Sequence, residues 1–147
     1  MKKNYLIAGA VALCLGAGPV FAQDAPQMLR QDDMKAIGQA MGQLGAIAKG
    51  QKGYDPVVVE GALSSIAGHA KDFPTHFPPD SKTGNDTEAS PAIWENMDDF
   101  TARADKLAAD ANALLADLPS DQAAVGKAMQ TLGANCGACH EIYRVKN

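Results

Sequence analysis

Five residues near the C-terminus of this 147-residue chain constrain it more than any other stretch: Cys136, Gly137, Ala138, Cys139 and His140. In the order C-x-x-C-H they form the attachment sequence of a c-type haem. Each thiol can add across a vinyl group of the porphyrin to give a thioether, and the neighbouring imidazole reaches the iron as proximal ligand. On a helix, positions 136, 139 and 140 stand at i, i+3 and i+4, so the three side chains leave one face and can meet one macrocycle. The motif thus states the cofactor, one haem c (iron) per chain, and the way it is held.

Other chemistries account for the pentad less well. A structural zinc site wants four ligands, usually from a second paired cluster, whereas beyond the leader there is no further cysteine and only His69 and His76 besides His140. A thioredoxin-like pair belongs beside a βαβ pattern, and none is visible. A disulfide suits an oxidising compartment but leaves His140 without a role.

Residues 1–22 read as a cleaved secretory signal peptide. Lys2 and Lys3 supply the positive start, Leu6 to Leu15 the apolar run, and Ala22 the small residue before the cut. Gly9, Gly16, Gly18 and Pro19 break up the apolar stretch, and a span wants about 20 good apolar residues, so the chain is expected to be soluble after cleavage. Cys14 follows Leu13, where lipid attachment expects a small residue, and leaves with the leader. Export agrees with haem attachment outside the cytoplasm, and the expected address is the periplasm. Loss of Lys2 and Lys3 leaves 11 basic against 17 acidic residues, a net charge of −6. That balance argues against nucleic acid and anionic membrane, and for a basic partner surface.

Residues 23–147 fit one domain and read as helical throughout, with no sustained strand alternation. The first helix is expected over Pro26–Lys49, with Met34, Ile37, Met41, Leu44 and Ile47 as its apolar stripe, and Gly50 and Gly53 close it. Gly38, Gly42 and Gly45 each cost about 1 kcal/mol in helix propensity. They read equally as room for a haem or a partner helix and as tolerated helix glycines. A second helix runs from Pro56 to about Lys71, burying Val59, Leu63, Ile66 and Ala70. Then comes a proline-rich connection, Asp72 to Ser90, long enough to be a crossover or a flap, pinned by Phe73 and Phe77. A third helix, capped by Ser90 with Pro91 in its first turn, continues through Ile93, Trp94, Phe100 and Leu107 to a stop before Pro119. The fourth starts at Ser120 or Asp121 and carries Val125, Leu132 and the haem motif. The fold class is all-α, an antiparallel four-helix bundle with haem attached near the C-terminus.

The order of these parts resembles the class II c-type cytochromes, the cytochrome c′ family, a type example of that bundle. Arg30, Gln31 and Met34 on the first helix carry the resemblance, with Lys49, Gly50, Tyr54, Asp55, Pro91, Ile93, Trp94 and the terminal Cys136, Cys139, His140, Tyr143, Arg144. It implies a haem between helices, bound through Cys136 and Cys139, with His140 as solvent-side fifth ligand. It places Arg30 and Gln31 near the haem propionates, where a guanidinium can pair with carboxylate, Arg144 beside the proximal histidine, and Glu88 at a haem edge. Read without the resemblance, Arg30 and Arg144 are ordinary solvated helix charges.

The resemblance puts Met34 on the distal side of the iron. In one branch of the family that side chain only blocks the sixth site of a five-coordinate haem that binds NO or CO; in the other a methionine ligates the iron and gives a low-spin electron carrier. The Met34–Lys35 pair and the run from Leu44 to Gly50 look more like the second branch. Met28 and Met41 are expected at other levels of the bundle, and His69 and His76 as solvated residues rather than ligands. The expected function is a mono-haem one-electron carrier serving periplasmic redox partners, with NO/CO binding or nitric oxide protection as the alternative. An enzyme would need a distal acid or base over the iron, which the stripe of the first helix does not offer. The family implies a homodimer through the first two helices; the residues suit a monomer equally.

Overall fold

A computed structural model describes residues 25–145, so the leader, Cys14 and the signal cleavage site lie outside the described residues. Four long helices dominate: α1 (Pro26–Ala48), α2 (Pro56–Asp72), α4 (Met97–Ala116) and α5 (Gln122–Tyr143), with a single turn, α3 (Ala92–Glu95), ahead of α4. Helix α1 packs on α2 and α5, and α4 packs on the same two, which closes a four-helix ring.

The helix ends follow from local chemistry. Gly50, at φ +68°, turns the chain out of α1, and the Gly50 and Gln51 amides donate back to Ile47 and Ala46 carbonyls at 2.9 Å each, satisfying otherwise orphaned acceptors. Asp55 caps α2, its carboxylate accepting from the Val57 amide at 2.9 Å; Asp121 caps α5 through the Ala124 amide at 2.8 Å. At this end of the bundle Tyr54 Oη donates to the Pro119 carbonyl at 2.8 Å, tying the two short turns together.

The expected third helix is two pieces. Ser90 Oγ accepts from the Ala92 amide at 3.3 Å and starts α3, but Asn96 leaves helical geometry at φ −136°, ψ 49°. Its side-chain amide donates to the Ala92 carbonyl at 3.3 Å, while its own carbonyl accepts from the Phe100 amide at 3.0 Å and opens α4. A short amide side chain competes with the helical ladder in this way. The break sets Trp94 over the long connection, its indole N–H shared between the Phe77 and Pro78 carbonyls at 3.2 and 3.3 Å.

Two cores result. Ile37, Leu44, Ile47, Val59, Leu63, Ile66, Ala111, Val125 and Leu132 fill the aliphatic centre, with Met34 and Met41 packed against it. At the other end Phe77, Ile93, Phe100 and Tyr143 form an aromatic cluster joined by Phe73 and Trp94, so every described aromatic residue except Tyr54 gathers there. Phe77 and Phe100 meet edge-on at 4.7 Å, as do Phe100 and Tyr143 at 5.3 Å, a geometry the ring quadrupoles favour. Phe73 and Phe77 pin the connection as expected. It acts as a flap across α1: Gln27 donates to the Thr83 carbonyl at 2.8 Å and Gln31 to that of Asn85 at 2.8 Å. No helix of the described residues is long and apolar enough to cross a membrane.

Candidate haem site

Between the flap and helices α1, α4 and α5 lies a mostly apolar cavity of about 720 Å³, within the size range of cofactor sites. Because residues 136–140 are helical, Cys136, Cys139 and His140 all reach it from α5; Met34, Ile37, Gly38 and Met41 line it from α1, and Phe100, Ala104 and Leu107 from α4. Both cysteines are free and half-buried. Burial pushes both thiols above their usual pKa, the reverse of the depressed values of dithiol redox pairs. Burial, aided by the Arg144 guanidinium, holds the His140 imidazole below its usual value. That favours the neutral form, the one able to donate a lone pair to a metal. The donor set, the volume and the apolar walls fit a covalently attached haem.

Helices α1 and α5 pack on each other and line the cavity from two sides. At the far end Gln122 donates to the Ala48 carbonyl at 3.3 Å, so the start of α5 meets the end of α1 and the two run antiparallel. Farther along, the Gly45 Cβ position would stand 3.6 Å from Met129 Cε. Counted from Gly45 and Met129, Met34 falls opposite His140; counted from Ala48 and Gln122, it falls opposite Cys136, so Met34 comes within one turn of both ends of the haem motif. Met41 lines the same cavity as Met34 rather than lying apart from it, two turns farther along α1. Met28 is 47% exposed and does not line the cavity. A side chain at Gly38 would meet nothing within 4 Å, so the missing Cβ leaves open cavity beside Met34.

The four polar residues expected around the haem all line this cavity, in different ways. Arg30 is 4% exposed and lies flat on Phe77, 4.1 Å from the ring centroid. Its guanidinium donates to the His76 carbonyl at 2.6 Å, to the Ser81 carbonyl at 3.1 Å and to the Ser81 hydroxyl. Here Arg30 holds the flap. Gln31 is exposed at the rim. Glu88 and Arg144 pair there, with Glu88 Oε2 accepting from Arg144 Nε at 2.7 Å, because an antiparallel bridge between Ala89 and Arg144 brings the flap to the end of α5.

Other residues of the site carried no signal in the sequence beyond an i, i+4 charge pair. Asp99 Oδ2 accepts from Tyr143 Oη at 2.6 Å and from Arg103 Nε at 2.7 Å, and Arg103 also donates to the Ala138 carbonyl at 3.2 Å, inside the haem motif. One turn earlier, Asn135 donates to Asp110 at 2.6 Å. Both contacts clamp the motif to α4. His69 and His76 do not line the cavity; they pack on Asp33, so the expectation of solvated histidines gives way to a paired cluster.

The family described as cytochrome c′ matches residues 26–144. Cytochrome c-556 of Agrobacterium fabrum strain C58 is 50% identical over 146 residues, 99% of this chain and 98% of that protein. Among solved structures, cytochrome c′ from Rhodopseudomonas palustris superposes with a TM-score of 0.80 at 36% identity, covering 85% of this chain and 99% of that one. The structure of oxidised R. palustris cytochrome c556 gives a TM-score of 0.76 at 33% identity, covering 85% and 99%.

Proposed function

The chain belongs to the cytochrome c′ family, and from that premise we propose that His140 and Met34 are the axial ligands of its haem iron and that it works in the periplasm. As a member of that family it is a mono-haem c-type cytochrome and an electron carrier, and Cys136 and Cys139 fit the attachment of its haem c. The observation that supports the ligand assignment is that Met34 of α1 and His140 of α5 line the same cavity, on helices that run antiparallel.

When bound, haem c supplies a one-electron iron couple, which an imidazole and a thioether together poise at a higher potential than two stronger donors would. The chain's own residues do the rest. Ile37, Phe100 and Leu107 wall off water, the clamps from Asp99, Arg103 and Asp110 fix the helix that carries the cysteines and His140, and the Glu88–Arg144 pair marks the rim. The acidic balance of residues 23–147 supports docking to a basic redox partner. Gly42, with open space beside it, and Val57, 74% exposed, support pairing of two copies through α1 and α2.

The optical spectrum of the holoprotein tests the ligand set. A low-spin spectrum with a sulfur-to-iron charge-transfer band and no response to carbon monoxide is expected. A high-spin spectrum that shifts with carbon monoxide would overturn Met34 ligation and leave gas binding as the function.

A further inference from the structure

Away from the haem cavity, the described residues bring one group of metal-ligating side chains together where α1, the end of α2 and the 3-10 turn Phe73–His76 meet: Asp33, Asp72 and His76, with ligand atoms all within 4.8 Å of one another. His76 Nε2 stands 3.4 Å from Asp33 Oδ2 and 3.3 Å from Asp72 Oδ2. A tetrahedral zinc ion with bonds of about 2.0–2.1 Å spaces its ligand atoms about 3.3–3.4 Å apart, so His76 already stands at that spacing from both carboxylates, and the two carboxylates lie within 4.8 Å of each other.

A second observation points to a ligand. The Asp33 side chain is 8% exposed, and its Oδ2 is buried without a hydrogen-bond partner. Its polar neighbour His76 Nε2, at 3.4 Å, makes no hydrogen bond to it, so the oxygen is left to a cation placed between the two. The other oxygen, Oδ1, is held by His69 Nδ1 at 2.8 Å, which turns Oδ2 toward His76. His76 is itself fixed, its carbonyl accepting from Arg30 Nε at 2.6 Å. Asp72, 65% exposed at its side chain, leaves the group open to solvent on one side.

We propose that Asp33, Asp72 and His76 bind one divalent transition-metal ion of the zinc class, with water as the fourth ligand and His69 as a positioning residue. One imidazole with two carboxylates suits such an ion better than calcium or magnesium, which take all-oxygen shells. None of the three residues lines the haem cavity, so the site stands whether or not Met34 ligates iron.

The test is calorimetric titration of chelator-stripped holoprotein with Zn²⁺. Saturable binding of one ion per chain at micromolar concentration is expected, with Mg²⁺ and Ca²⁺ unable to compete. His76→Gln and Asp72→Asn should each weaken it by about 100-fold, and His69→Gln by about 10- to 100-fold through the orientation of Asp33. A retained haem spectrum shows that each variant has folded, and if Asp33→Asn fails that check the other three decide. Zn²⁺ should also raise the unfolding temperature of the wild type and not that of His76→Gln. Absence of saturable binding, binding unchanged in His76→Gln, or equal competition by Ca²⁺ would overturn the proposal.

Discussion

Tyr143 Oη donates a 2.6 Å hydrogen bond to Asp99 Oδ2, linking the last residue of α5, three residues beyond His140, to the first turn of α4. Since Asp99 also holds Arg103, and Arg103 the Ala138 carbonyl, one carboxylate braces the whole haem-bearing turn.

That brace should be lost in acid. Hydrogen bonds from Arg103 and then Tyr143 hold the Asp99 carboxyl below its ordinary value of 3.8. A carboxyl depressed on folding contributes stability above its unfolded pKa and loses it as pH falls through the folded value. Asp99→Asn should therefore unfold at a lower temperature than wild type at neutral pH, and the gap should begin to narrow below pH 3.8 and close as the pH falls through the lower value of the folded state. Melting curves across pH read this directly, and Tyr143→Phe should show part of the same gap.

Removing Met34 separates ligand from gatekeeper. In Met34→Ala the reduced holoprotein should bind carbon monoxide and turn high-spin, while Met41→Ala, two turns farther along α1, should leave both properties as in wild type. An unchanged spectrum in Met34→Ala would end the assignment.

Each attachment cysteine should hold one thioether. Cys136→Ala or Cys139→Ala should leave haem fixed by a single bond, seen as a shifted reduced α-band in the pyridine haemochrome. The double variant should give up its haem to acidified acetone.

Arg30 should matter for stability beyond any contact with haem. Its stacking on Phe77 is worth about 0.5–2 kcal/mol, and hydrogen bonds from a charged group about 1.5–3 kcal/mol. Arg30→Ala should thus cost about 2–4 kcal/mol in denaturant unfolding, and should expose residues 78–90 to limited proteolysis. Lysine, lacking the planar fork, should restore little of it.

Phe100 is 1% exposed and touches Phe73, Phe77 and Tyr143. Phe100→Ala should cost about 3–5 kcal/mol, as buried aromatic truncations do, and loosen the flap wall of the haem cavity. Equilibrium unfolding of the holoprotein measures the first effect and hydrogen exchange in residues 73–90 the second.

Much of this was legible in the chain alone. A haem motif whose three working residues share a helix face, stripes at spacings of three and four, the start at Pro56, and capping residues at Ser90 and at Ser120 or Asp121 are local signals, and they determined the cofactor, the all-α class and three of the four long helices. Tertiary structure decided the rest, because it depends on which surfaces meet. Asn96 could end a turn only once Trp94 had carbonyls of the flap to reach. Met34, singled out in the sequence by resemblance, shares a cavity with His140 only because α1 and α5 pack antiparallel, and the same packing brings Met41 to that cavity. Nothing local marks Asp33, Asp99 and Arg103; packing alone brings His69, His76, Tyr143 and the Ala138 carbonyl beside them. A side chain's chemistry is written in the sequence, but its partners are set by the burial of apolar faces that lie far apart along it.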